Sequence, residues 1–452
     1  MKKNNFSLAA AVIAALALLI CVNFFASRLS DRLGLRLDMT GNKLYEVSDE
    51  TLDILSRLED DVKLTVFSSE KDYVNIVAEI LSRYESAGKG RITLEYVDPY
   101  ENPTVVDEYI RRGLEINLNT LVVESGGRAE TVELEDMFEL DSSGSSVQGL
   151  KCEQLITSAV LAAAGNGGHN VCFTAGHDES FSRSLTDIFT LNGYETGYVT
   201  LSADDFPDDT DLAVIAAPSV DFSDGEISKL DKFMERGGRL LVFVKPNSLP
   251  LDRLYTFLAE WGVGVTETVV AEAKQFTDAN PLSIVPIYAS HEITGYFSQN
   301  QLYPVLTSTL ALRQEYVSRG DVRTQALLYS TDRAYDFADS TDGQTGPFPL
   351  AICAQKERDG VRARLAVIGS GGIYSDTLMQ SPAYANSRFI ARTAGWCTDS
   401  ESTVSIAPKS LTGDAIAVTA SQMLAYSVLT VGALPLAILV WGIAVYVRRR
   451  HS

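Results

Sequence analysis

The sequence predicts an α/β fold in two domains, and three observations carry that reading. Between Asn170 and Pro246 short apolar runs alternate with helix-period segments, the pattern of a parallel sheet covered by helices. Residues 36–140 repeat the alternation on a smaller scale and end in a hairpin signal. Two uncharged apolar stretches, Leu8 to Phe25 and Met423 to Val447, lie outside these domains. Each meets the length of about 20 residues that a membrane-spanning helix needs.

The first stretch reads as an uncleaved anchor. Lys2 and Lys3 precede it, and Phe24-Phe25-Ala26-Ser27-Arg28 is a poor small-x-small cleavage site. Ser48 then offers an N-cap for a helix over 49–58, with Leu52, Leu55 and Ile54 inward. Val62 to Phe67 alternates as a strand, and Val74 to Tyr84 reads as a helix stopped at Gly88 and Gly90. A strand over 91–97, a helix over 104–112 and a hairpin over 120–134 turning at Ser125-Gly126-Gly127-Arg128 complete the domain. The order βαβαββ suggests a thioredoxin-like layout. The domain lacks CxxC, which argues against disulfide exchange.

Asp141 to Ser146 is a polar linker, and Cys152 to Ala164 an amphipathic helix. The second domain follows. Its strands are expected over 170–175, 212–217, 240–244 and 263–270, with extended chain over 194–201. Its helices run from Ser182 to Leu191, from Ser223-Asp224-Gly225-Glu226 to Gly237, and from Leu251 to Trp261. Residues 277–340 are irregular and read as an insertion with loops. Two strands over 350–355 and 364–368, then a helix over 386–397, return to the same sheet. The resulting plan is an anchor at 1–27, a small α/β domain at 36–140 and a parallel-sheet domain at 151–400. A linker at 401–422, a transmembrane helix at 423–447 and a basic tail at 448–452 complete it.

Charge narrows the partners. The net charge is −21, and both ends are basic, so the middle is more acidic still. Nucleic acid, which needs a basic footprint, is not an expected partner. Lys2 and Lys3 before the first apolar stretch, and Arg448, Arg449 and Arg450 after the second, place both termini in the cytoplasm. Residues 28–422 are then extracytoplasmic, with both helices in the lipid bilayer. Arg28, Arg32 and Arg36 on the outer side oppose this orientation, and the agreement of the two ends outweighs them.

Ligands of a parallel sheet sit at the carboxyl ends of its strands, which points to Gly176-His177-Asp178-Glu179. Catalysis or metal binding would need further groups converging there, and the other histidines between the apolar stretches are His169 and His291. His177, Asp178 and Glu179 are therefore read as a ligand or partner contact, with no catalytic residue, metal site or cofactor assigned. Gly369-Ser370-Gly371-Gly372 could cradle a phosphate, but it lacks the lysine and spacing of a P-loop, so a plain turn is the better reading. Cys172 lies inside a strand, where a nucleophile would follow it. Cys152, Cys172, Cys353 and Cys397 show no zinc spacing.

Several segments in sequence order resemble the GldG-like family, the auxiliary membrane subunit of uncharacterised ABC transport systems. They are the anchor, Arg36-Leu37-Asp38-Met39-Thr40, Lys43 to Ser48, Val97-Asp98-Pro99, Cys152 to Ala159 and Phe173 to His177. Ala217-Pro218, Gly237-Gly238, Val367 to Ser370, the Pro435-containing last helix and the basic tail complete the series. The resemblance spans nearly the whole chain. It implies a central domain similar to class I glutamine amidotransferases, without their Gly-x-Cys-x-Gly elbow, and partners in an ABC permease and an ABC ATPase. In some bacteria the family serves gliding motility. The expected function is a non-catalytic accessory subunit whose acidic domain contacts substrate or envelope partners. The alternative is an extracytoplasmic hydrolase or ligand-sensing domain that uses the loop after strand 171–175.

Overall fold

The computed structural model describes residues 44–140, 146–165, 168–338, 345–381, 383–400, 404, 406 and 408–411. The apolar stretches at 8–25 and 423–447 and the basic ends lie outside the described residues. Among the described residues no helix is long and apolar enough to cross a membrane.

In the first domain Ser48 caps helix α1 (Asp49–Ser56) by accepting from the Thr51 amide at 3.3 Å. The helix buries Thr51, Ile54 and Leu55, with Leu58 one turn on. That is the i, i+3, i+4, i+7 stripe of a helix face. Leu52, expected inward, falls off this stripe and is 41% exposed. Strands β1 (Val62–Val66), β2 (Ile92–Tyr96), β3 (Leu121–Ser125) and β4 (Arg128–Val132) form a sheet in the order β2-β1-β3-β4. β1 and β2 are parallel, and the other pairs are antiparallel. Gly126 and Gly127 join β3 to β4 with φ of 56° and 87°. Positive φ at both turn positions is what a two-residue hairpin matched to strand twist requires. Helices α2 (Asn75–Ala87) and α3 (Pro103–Arg111) connect the strands.

The next helix, α4 (Cys152–Ala163), was assigned by its sequence position to the second domain. It packs against β3 and β4. Ile156, Ala159, Val160 and Ala163 join Leu64, Tyr84, Leu121 and Val123 in one core. Strands β5 (Phe138–Leu140) and β6 (Val147–Leu150) pair beside it, and residues 409–410 add a third strand to β6.

The second domain is organised around one large sheet. β7 (His169–Thr174), β8 (Tyr194–Val199), β9 (Thr210–Ala216) and β10 (Arg239–Phe243) lie in the order β8-β7-β9-β10. These pairings and that of β10 with the strand Val361–Ile368 are parallel. Beyond that strand the sheet turns antiparallel, through Pro349–Arg358 and Val322–Tyr329. The sheet is thus mixed rather than parallel throughout. The strand 322–329 comes from the region read as an insertion. Its buried run Ala326-Leu327-Leu328 interrupts the alternation that would have marked it. β11 (Val263–Ala271) lies outside this sheet, paired antiparallel with Thr309–Gln314.

Helices cover both faces. Helix α5 (Arg183–Thr190), which follows β7, and the helix Asn386–Thr398 bury Leu185, Phe189, Phe389 and Ile390 on one side. Helices α6 (Asp224–Glu235) and α7 (Asp252–Glu260) bury Leu230, Phe233, Leu254 and Phe257 on the other. The chain leaves β7 for β8 on one flank, then returns to β9 on the other. The direction of winding therefore reverses between β7 and β9, and the carboxyl ends of those two strands frame the crevice where such sheets take ligands.

Candidate functional site

Loops from both sides of the reversal are stitched together. The Ser180 amide donates to the Ala216 carbonyl at 2.8 Å, and the Ser219 and Val220 amides donate to the His177 carbonyl at 2.9 Å. Gly176 takes φ of 114°, and Asp178 and Ala217 are left-handed at 55° and 47°. An alanine held in that region marks a backbone fixed by its surroundings.

His177 turns inward and is 4% exposed. Its ring stacks on Phe222 with centroids 3.7 Å apart and planes 13° apart. Nε2 lies 3.3 Å from Glu226 Oε1, and Nδ1 lies 3.5 Å from Glu179 Oε1. The Nδ1 contact is an ion-pair approach rather than a formed hydrogen bond. Glu179 also accepts from the His177 amide at 2.9 Å and from Thr174 Oγ1 at 3.1 Å. Glu226 closes a capping box on α6: it accepts from the Ser223 amide at 2.7 Å while Ser223 Oγ accepts from the Glu226 amide at 3.4 Å.

Burial alone would lower the His177 pKa, but the two carboxylates outweigh it and hold the imidazole above its ordinary value. Burial would raise both carboxylates. The nearby His177 ring and hydrogen bonds from the local backbone hold Glu179 below the ordinary range, and Ser223 together with His177 does the same for Glu226. When protonated, His177 is a cation shared between two carboxylates. Asp178 is the exposed member of the sequence-derived set, with its carbonyl accepting from Ser219 Oγ at 3.2 Å. Sequence reasoning missed Glu226 as a partner of His177. The Ser-x-x-Glu spacing announces the capping box, but 49 positions separate the two residues.

The remaining candidates lie elsewhere. His169 begins β7 and sits 3.4 Å from Asp211. His291 caps the helix Glu292–Asn300, and its Nε2 lies 3.6 Å from Cys353 Sγ. Cys353 is on the strand Pro349–Arg358, four strand positions from β7, or roughly 19 Å at about 4.8 Å per strand. Cys152, Cys172, Cys353 and Cys397 are buried free thiols. Burial raises Cys172 to about 11 and the other three to about 12, far from thiolate chemistry at neutral pH. Gly369 and Gly372 have a packing role: a Cβ on Gly369 would overlap the Leu310 carbonyl, and one on Gly372 the Thr307 hydroxyl. Among the described residues no group of three or more His, Cys, Asp or Glu side chains is arranged to hold a metal ion.

The sequence matches two known domain families. Residues 41–136 match a domain of unknown function, DUF7088, and residues 169–280 match a family described as an ABC-type uncharacterized transport system. No curated protein matches the chain. Among solved structures, the mmIFT52 N-terminal domain is 20% identical with a TM-score of 0.40, covering 50% of this chain and 97% of that one. A ThuA-like protein from Bacteroides uniformis is 12% identical with a TM-score of 0.33, covering 51% and 91%. One from Parabacteroides merdae is 11% identical at 0.33, covering 53% and 93%. Likeness at these scores assigns no function. The matched segment 169–280 contains β7 to β10, both sides of the crevice and the whole His177 trio, and over that segment the chain is similar to the family described as an ABC-type uncharacterized transport system.

Proposed function

We infer that the chain is a non-catalytic accessory subunit of an ABC-type transport system, working beside a permease and a cytoplasmic ATPase. In this reading the apolar segments 8–25 and 423–447 anchor it in the bilayer with both termini cytoplasmic. The first domain is thioredoxin-like and the second amidotransferase-like, and together they form an acidic extracytoplasmic region. The loop 176–179 is its contact surface, with Asp178 outermost and His177 and Glu179 as the rigid support beneath.

One observation carries the reading beyond the family match. The groups at the switch point that could do acid–base work are consumed in holding the loop: His177 has a carboxylate at each nitrogen and an aromatic ring against its face. A general base must reach a substrate proton, and this imidazole is enclosed. That geometry favours a contact or ligand-sensing loop over a hydrolase. The test is affinity purification of the full chain from membranes under mild solubilisation. Recovery of an ABC ATPase and a multi-span permease supports the reading; recovery of the chain alone overturns it.

A further inference from the structure

Beside the His177 trio, the same sheet edge holds donors with capacity to spare. Lys245 follows β10, is half-buried, and donates from Nζ to Ser180 Oγ at 2.5 Å. Among the described residues its side-chain partner is this hydroxyl and not a carboxylate, in a protein of net charge −21. Tyr374 is 3% exposed, and its hydroxyl has no hydrogen-bond partner among the described residues. A buried hydroxyl left unpaired is costly, and so is a half-buried ammonium without a counter-charge.

These groups are neighbours. A Cβ placed on Gly371 would lie 3.5 Å from Tyr374 Oη, 3.6 Å from Lys245 Cβ and 2.7 Å from Ala217 Cβ. The Tyr374 ring packs edge-on against Phe243 at 4.8 Å, and its carbonyl accepts from Ser182 Oγ at 2.8 Å. The phenol is thereby fixed between the end of β10 and the loop after β7. Ser180 Oγ, accepting from the ammonium, keeps its own proton free to donate. The glycine turn at 369–372 lacks a lysine in sequence, and the fold supplies one from the adjacent strand.

We propose that Lys245, Ser180 and Tyr374 form a binding site for a small oxyanion, a carboxylate or phosphate group, at the carboxyl edge of the sheet. Tyr374 Oη lacks an acceptor, Lys245 lacks a counter-charge and Ser180 Oγ keeps a proton to donate, and an anionic oxygen answers all three. The site is separate from the His177 trio and does not depend on a transporter partner. It can bind its ligand even if co-purification fails.

The test uses the full chain in mild detergent at constant ionic strength, titrated with inorganic phosphate in one arm and acetate in the other, with chloride as reference. Thermal unfolding and calorimetry are the readouts. A saturable rise in melting temperature in one arm, reduced at least tenfold in apparent affinity by Lys245→Met and by Tyr374→Phe, is the expected result, and the responding arm names the group. Tyr374→Phe without probe should melt at or above the parent temperature, because it removes an unpaired hydroxyl. Absence of saturable binding in both arms overturns the proposal. So does undiminished binding by Lys245→Met, or a lower melting temperature for unliganded Tyr374→Phe, which would mean that the hydroxyl already has a partner in the protein.

Discussion

Replacing His177 with alanine should destabilise the second domain by about 3–5 kcal/mol, the cost of removing one member of a buried charge network. The structure supports a value in that range because the two carboxylates left behind are enclosed, with side chains 2% and 9% exposed. Glu179 and Glu226 keep their backbone and hydroxyl donors, so the loss should not exceed this range. His177→Gln retains one amide donor and should cost less. The effect depends on pH, and the sign differs between the partners. The His177 pKa is raised in the folded state, so its contribution is fully present below about 6.5 and is lost as pH rises through the folded value. The pKa values of Glu179 and Glu226 are lowered, so their contribution is present above about 4.5 and is lost as pH falls through the folded values. The difference between parent and His177→Ala should therefore be largest between about pH 4.5 and 6.5 and shrink towards pH 9. Each unit by which the folded imidazole exceeds its ordinary value adds about 1.4 kcal/mol. Urea unfolding of both proteins at pH 5.5 and 8.5 measures this. A destabilisation below about 1 kcal/mol at pH 5.5, or an equal loss at both values, would refute the buried ion trio.

Three other outcomes follow from the same coordinates. Ser223→Ala should cost about 1 kcal/mol by removing the α6 cap, and Glu226→Gln more than that because it also strips a charge from His177; equilibrium unfolding of the two variants checks the order. Lys409→Met should cost about 3 kcal/mol, because Lys409 Nζ lies 2.7 Å from Glu153, whose side chain is 3% exposed, whereas Lys63→Met at the exposed pair with Glu95 should change stability by less than about 1 kcal/mol in the same assay. The thiols of Cys152, Cys172, Cys353 and Cys397 should resist a thiol reagent at pH 8 in the folded protein and react on unfolding; peptide mapping of the labelled sites reads this out.

What was legible in the sequence was local. Ser48, Ser182 and Ser223 marked helix starts because the capping bond spans two or three residues, and all three accept it in the structure. Gly126-Gly127 marked its hairpin because two positive φ values in a row leave little choice but glycine. Strands β7, β9 and β10 were visible as apolar runs between breakers. The failures are matters of long-range choice. Leu52 is as apolar as Leu55, and only the position of the core decides which turns inward. Helix α4 follows the first hairpin across a polar linker, and nothing local says that it folds back. Lys245 and Tyr374 read as ordinary residues until the fold places together a lysine and a phenol that, among the described residues, have no counter-charge and no hydrogen-bond partner respectively.

The loop 176–179 and the start of α6 belong to opposite sides of the winding reversal, since α5 covers one face of the sheet and α6 the other. A crevice at such a point is open unless something spans it. His177 spans it: its ring reaches from the β7 loop to Phe222 and Glu226 at the α6 start, while its carbonyl takes two amides from the loop after β9. Charge is the element of this clasp that pH can remove. Deprotonating the imidazole leaves two enclosed carboxylates without their shared cation, and their repulsion then acts across the crevice. Asp178 is exposed on this loop, so if it contacts a partner, as proposed, that contact and a proton that charges His177 act on the same few backbone bonds. Binding at the surface and protonation beneath it would then be linked quantities. A contact that holds the loop closed must raise the affinity of His177 for its proton, by the same factor with which protonation strengthens the contact.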